Sequence, residues 1–212
     1  GNLIARYQAY ERALGVKTCA FSPNGKFFAA GSFDEMCRIL NTISWKPTFE
    51  CEHKASTVPT RLRIEGTKEN DRTEDNSQPT AKTVKLIQPD LTKATPRIGV
   101  GMLAWSSESE YLATRNDNMP HSLWIWSPTS VKPVAVLEFE TSICSFKWDP
   151  VRPRLAIAIG DRSIATWSKQ DGVSMLQLHN NDWQDATKGI RWNPNGNSLL
   201  LVSKQHLLHV PL

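Results

Sequence analysis

The stretch CSFKWDPVRPRLAIAIGDRSIATWS (144–168) carries three strand signals in a row. An alternating run ends at Trp148, with Phe146 two residues earlier on the same face, because successive strand side chains point to opposite sides. Asp149-Pro150 then turns the chain, the proline ring fixing φ. Leu155–Ile159 is apolar almost without a break, the pattern of a strand covered on both faces. Asp161 marks a short polar turn, and Ser163–Trp167 reads as a third strand.

Three other stretches repeat this order: VKTCAFSPNGKFFAAGSFDEMCRILN (16–41), GMLAWSSESEYLATRNDNMPHSLWIWS (101–127) and GIRWNPNGNSLLLVSKQHLLHVP (189–211). The aromatic at the end of the first strand is Phe21, Trp105, Trp148 or Trp192, with Cys19, Leu103, Phe146 or Ile190 two residues before it. These residues are expected to line a buried face, and Trp126 and Trp167 on the third strands join them as core. Turns follow at Ser22-Pro23-Asn24-Gly25 and Asn193-Pro194-Asn195-Gly196, while Ser106–Ser109 is a weaker signal. Outer, fourth strands are expected over 48–51, 134–139 and 175–178. The last unit stops at Leu212 before a fourth strand.

The interval from Trp105 to Trp148 is 43 residues and from Trp148 to Trp192 is 44. That is the period of WD40 units, about 40–45 residues with four strands per blade. The Trp-Ser endings Trp126-Ser127 and Trp167-Ser168 stand where such units carry Trp-Asp, and no Gly-His pair is present, so spacing and strand pattern carry the assignment. The fold class expected is all-β: a WD40 β-propeller segment of about three and a half four-stranded antiparallel blades. Leu3–Tyr10 alternates like an outer strand of a preceding blade. The expected divisions are that strand plus a first blade (1–53), an insertion (54–97), a second blade (98–139), a third (140–180) and a partial last blade (181–212). Propellers have about 4–8 blades, so the chain is either part of a larger ring or a four-bladed ring on its own.

Phe21 to Trp105 is 84 residues, and residues 54–97 do not fit the repeat. Gly66–Thr80 holds no large apolar residue and is expected to be mobile. Thr60–Ile64 and Thr83–Gln88 alternate on either side, which predicts an extra hairpin with a flexible tip. The insertion contributes +3 of the chain's net charge of +4. Arg61 and Arg63 are its candidate partner contacts, as a docking arm for an acidic partner; the other reading is a tolerated solvated loop, since loop length costs little stability.

Catalytic chemistry finds no support. No HExxH, phosphate loop or GxSxG occurs. Asp34, Asp117 and Asp161 recur at one place in successive units, which argues for turn carboxylates rather than a single active site. His206 and His209 sit three apart and would point to opposite faces of a strand. The four cysteines form no CxxC pair and read as reduced, buried thiols. No cofactor or metal is implied. Trp183 in a polar stretch, and the loop of Arg115, Asn116, Asp117, Asn118 and His121, are the remaining candidate partner contacts; Trp183 stands out because Trp is enriched at binding hot spots.

A charge of +4 from 25 basic and 21 acidic residues is too even for a nucleic-acid face, and no apolar run is long enough for a membrane span. Protein partners are left.

Three stretches, YQAYERALGVKTCAFSPNGKFFAAGSFDEMCRILN (7–41), RIGVGMLAWSSESEYLATRNDNMPHSLWIW (97–126) and FKWDPVRPRLAIAIGDRSIATWS (146–168), resemble the C-terminal half of the propeller region of the WD-repeat protein eight family. LATRNDNMPHSLWIW is the most specific of their marks. The resemblance implies a non-enzymatic scaffold in the cytoplasm and cytoskeleton, at the centrosome or spindle pole body, that anchors microtubule minus ends and supports spindle assembly. It also implies a coiled-coil spindle-pole anchoring protein and a minus-end-directed kinesin as partners, and the remaining propeller blades in a missing N-terminal half. Other WD40 adaptors, such as a ubiquitin-ligase substrate receptor or a trafficking coat subunit, are the competing reading.

Overall fold

A computed structural model describes residues 2–11, 14–53, 61–64, 86–130, 132–178, 183 and 185–212, with backbone alone for 61–64 and 177. All regular structure among them is β. The first blade is β1 (Val16–Phe21), β2 (Phe27–Ser32), β3 (Met36–Asn41) and β4 (Pro47–Glu52). After β5 (Arg61–Ile64), the second blade is β6 (Val100–Trp105), β7 (Leu112–Asn116), β8 (Ser122–Trp126) and β9 (Pro133–Phe139). The third is β10 (Ser145–Trp148), β11 (Arg154–Ala158), β12 (Ser163–Ser168) and β13 (Gly172–Gln177). The last is β14 (Gly189–Trp192), β15 (Ser198–Val202) and β16 (Leu207–Pro211). Each blade is an antiparallel meander in chain order, and the last has three strands.

The turns follow from residue type. Gly25 and Gly196 take φ of 69° and 71°, where a Cβ is disfavoured. Ser109 takes the same place in the second blade at φ 62°, which is why that turn was faint in the sequence. All three close with the same backbone bond, from Gly25, Ser109 and Gly196 N–H to the carbonyls of Ser22, Ser106 and Asn193, each at 2.9 Å.

The four aromatics occupy one register slot: Phe21 pairs with Phe28, Trp105 with Leu112, Trp148 with Leu155 and Trp192 with Leu199. Trp105, Trp148 and Trp192 face backward onto the preceding blade, so the core lies between blades rather than within one. Phe146, Trp148, Leu155 and Trp167 meet Ala113, Leu123, Ile125 and Leu137 of the second blade. Trp105, Trp124 and Trp126 meet Ala29, Cys37 and Ile39 of the first.

The joints repeat in detail. The indole N–H of Trp105 donates to Ala20 O (3.3 Å), that of Trp148 to Ala104 O (2.9 Å) and that of Trp192 to Lys147 O (2.8 Å). In each case the acceptor is the residue just before the aromatic of the preceding blade. The first or entering residue of the preceding blade's second strand lies flat on the same ring: Phe27 on Trp105, Tyr111 on Trp148, and the Arg154 guanidinium over Trp192. Such contacts add to burial through the ring quadrupole.

Four expectations are corrected here. Phe21 is 57% exposed and Cys19 is exposed, because their face points backward and the described residues place no blade there. Phe21 instead packs edge-on against Phe28 and Trp45. Residues 2–11 form no strand and join no sheet, so the outer edge of β16, the third strand of the last blade, has no strand on it among the described residues. Among the described residues the expected hairpin pairing is not seen: β5 pairs in parallel with β9 and makes the second blade five-stranded, while residues 86–88 are irregular. The flexible tip and residues 83–85 lie outside the described residues.

Candidate partner-binding face

In a four-stranded meander the turn between second and third strands and the connection to the next blade fall at the same end of the sheet. This end gathers Glu35, His53, Arg115–His121, Asp161, Asp185 and His206. Two polar networks bind it together.

The first is built on Glu35, which takes φ 66° in the β2–β3 turn. Its carboxylate accepts from Asn116 Nδ2 (2.8 Å) and Asn118 Nδ2 (3.0 Å) of the second blade. Its backbone carbonyl lies 2.8 Å from His53 Nδ1, and His53 Nε2 lies 2.7 Å from the Thr114 hydroxyl, which also accepts from Trp126 Nε1 (2.8 Å). A carbonyl only accepts, so His53 carries its proton on Nδ1 and Thr114 donates to Nε2. The neutral ring suits the site: burial pushes its pKa from the ordinary 6.5 to about 4, against the opposing backbone hydrogen bonds to Glu35 and Cys51.

That shift sets a pH dependence. Between about pH 6.5 and 4 the unfolded chain takes up a proton at His53 that the folded chain refuses, so stability falls as pH drops through this window and this part of the loss levels off below it. The full contribution is about 3 kcal/mol. Urea unfolding of the full-length protein at pH 7 and pH 4.5, compared with His53→Gln, measures it; equal losses in both proteins would contradict the assignment.

The second network centres on Asp117. Its carboxylate pairs with Lys17 of the first blade and with Arg115 Nη2 (2.7 Å), and Arg115 Nη1 donates to Ile143 O (2.6 Å) at the entry to the third blade. One chain of contacts therefore spans three blades. Gly101 is required beside it, because a Cβ there would sit 2.4 Å from Asp117 Oδ2.

These contacts move most of the expected contact residues indoors. Asn116 is fully buried, Asn118 is 3% exposed, and Arg115 and Asp117 spend their charges on each other and on neighbouring blades. His121 is partly buried, and its carbonyl accepts from Phe139 N. Trp183 is 2% exposed and packs with Ala158, Ile190 and Leu201, so it is core rather than an exposed contact. The polar letters around Trp183 hid this, since an apolar anchor in a connecting segment has no periodicity to betray it. Arg61 and Arg63 lie on β5, their side chains outside the description. Among the turn carboxylates, Asp34 bonds Met36 N (3.3 Å) and Asp161 bonds Ser163 N (2.6 Å), both two residues on. Asp117 departs from that pattern because Lys17 and Arg115 compete for its oxygens. Asp185 accepts from Ser203 Oγ (2.8 Å) and pairs with His206, tying the last connection to its turn.

Sequence reasoning missed His53 and Glu35. The available signal was a histidine one residue beyond an outer strand, at the start of the connection. The long insertion after it masked its place in the repeat.

At the opposite end, a cleft of about 460 Å³ opens between the second and third blades, lined by Tyr111, Glu110, Arg152, Arg154, Lys169 and Asp171. Burial, with Glu110 beside it, pushes the Tyr111 phenol up to about 12. Among the described residues no cluster of three or more His, Cys, Asp or Glu could hold a metal ion.

Comparison with known proteins fits this architecture. The WD40 family, described as WD domain, G-beta repeat, matches residues 1–41. The WD repeat-containing protein WRAP73 of Mus musculus is 34% identical over 229 residues, covering 97% of this chain and 49% of that protein. The chain thus spans about half the length of the relative it matches. Among solved structures, a chain of the mitotic checkpoint complex matches with a TM-score of 0.54 at 18% identity, covering 92% of this chain and 50% of that one. The β-propeller domain of Cps50 (Swd1) from Myceliophteria thermophila matches with a TM-score of 0.60 at 11% identity, covering 92% and 53%. At these identities the likeness is one of fold.

Proposed function

We propose that this chain, a partial WD40 β-propeller, is a non-enzymatic scaffold that holds other proteins, and that it serves to anchor microtubule minus ends at the centrosome or spindle pole body. The observation that carries the scaffold reading is how the polar side chains at the blade ends are used. Glu35, His53, Asn116 and Asp117, the groups best placed for chemistry, are spent on joining blades. What they produce is a stiff platform whose exposed loops are available to partners, and fold alone does not name those partners.

The spindle-pole role draws its support from the resemblance carried by residues 7–41, 97–126 and 146–168 and from the likeness to WRAP73. The partners it suggests are a coiled-coil spindle-pole anchoring protein and a minus-end-directed kinesin. Tagging the full-length protein at its own locus tests this. Enrichment at spindle poles, with those two classes co-purifying, is expected. A diffuse signal, or co-purification of ubiquitin-ligase or coat subunits instead, would reject the role in favour of another WD40 adaptor.

A further inference from the structure

Strand β9 is an outer strand with the burial of an inner one. Ala135, Val136, Leu137 and Phe139 are all buried, whereas β4, the outer strand of the first blade, leaves Pro47, Thr48 and Glu50 exposed. Its faces are covered by the neighbouring blades, Ala135, Leu137 and Phe139 packing with the third and Val136 with the first, and its outer edge is covered as well. The insertion returns to lay β5 along it in parallel, with Arg61 opposite Val136, Leu62 opposite Leu137, Arg63 opposite Glu138 and Ile64 opposite Phe139. No fifth strand lies on β4 or β13 among the described residues.

We propose that the outer edge of β9 is a docking site for an extended basic–aliphatic strand of a partner protein, and that Arg61–Ile64 fills it as an internal competitor. The proposal rests on the scaffold reading and names where one partner is held. An open sheet edge presents unpaired N–H and C=O groups that template the addition of a strand, with alternate side chains giving selectivity. The occupant's chemistry is read from the register: an aliphatic residue opposite Leu137, a basic one opposite Glu138 and an aliphatic one opposite Phe139. The internal strand is suited to leaving. It is four residues long, pairs in parallel, and belongs to a stretch outside the blade repeat. While it stays, it competes at an effective concentration on the order of millimolar, so a partner at micromolar concentration is excluded until the strand is withdrawn.

The test uses the full-length protein and a fluorescent peptide with the sequence of residues 58–65, VPTRLRIE, read by anisotropy. The unsubstituted protein is expected to bind it weakly. Leu62→Pro, which withdraws a backbone donor from β5, is expected to bind at least about tenfold more tightly. A peptide carrying Arg63→Glu is expected to bind the opened variant roughly three- to fivefold more weakly, through the like charge opposite Glu138. Hydrogen exchange of the Val134–Phe139 amides is the second measurement: protected in the unsubstituted protein, faster in Leu62→Pro, and protected again on adding peptide. No gain in peptide binding by the variant, or unchanged exchange along β9, overturns the proposal. Peptide binding decides the matter whichever proteins co-purify, so a failure here is distinct from a failure of the spindle-pole role.

Discussion

Trp148→Ala is expected to cost the fold about 4 kcal/mol. Three contacts go at once. The indole is 8% exposed, stacked on Tyr111 at 5.9 Å and set edge-on to Trp167 at 5.9 Å. Its N–H holds Ala104 O at 2.9 Å across the joint. Removing it opens a void between two blades and leaves a carbonyl there without a donor. Trp148→Phe separates the effects: it keeps most of the apolar area and loses the hydrogen bond, for about 1–2 kcal/mol. Denaturant unfolding of the full-length protein, followed by tryptophan fluorescence and by circular dichroism together, checks both values. Equal losses for Ala and Phe would mean that packing at this joint contributes little. The same truncation at Phe21, which has no N–H to donate, is expected to cost far less in residues 1–212, where its ring is 57% exposed.

Asp149→Ala is the second large effect, expected at about 3 kcal/mol. Its carboxylate is fully buried and accepts from Val151 N (2.8 Å) and Arg152 N (3.2 Å), which shapes the turn after β10. It also accepts from Arg154 Nη2 at 3.0 Å. That bond orients the guanidinium to lie over Trp192 and to donate to Gly196 O at 3.1 Å. Without the carboxylate, two backbone donors and a cation lose their acceptor, and the joint between the third and last blades loses its stacking partner. Arg154 keeps 25% side-chain exposure, so water recovers part of the loss. Asp149→Asn retains acceptors for the turn and is expected to fall between the two. The midpoint of urea unfolding orders the three proteins; Asn at the midpoint of the unsubstituted protein would contradict an ionic role for the pair with Arg154.

The fold was legible where a residue's role depends on its neighbours in sequence. Alternation, apolar runs and turn formers marked the blade strands closely, and the spacing of Trp105, Trp148 and Trp192 showed the repeat. Roles that depend on a second blade were not legible. The position of Phe21 matches that of Trp148, yet its burial depends on whether a blade lies behind it. Asp149 read as a turn residue, and nothing local announced its pairing with Arg154. The loop of Arg115–His121 read as an exposed polar surface because its partners, Lys17, Glu35 and Ile143, are far away in the chain. The distinctive letters of LATRNDNMPHSLWIW are therefore explained by a joint between blades. Arg61 and Arg63 read as a free arm because nothing local announces a parallel pairing with a strand seventy-five residues on.

One aromatic slot, whose indole N–H reaches back to the preceding blade at Trp105, Trp148 and Trp192, joins the blades into a rigid platform. Indole hydrogen exchange in the full-length protein labelled with ¹⁵N-tryptophan tests it most directly. The indole protons of Trp105, Trp148 and Trp192 are expected to exchange only through opening of the blade joints, far more slowly than that of Trp45 in its partly exposed turn. Exchange of all three at the rate of Trp45 would contradict the account.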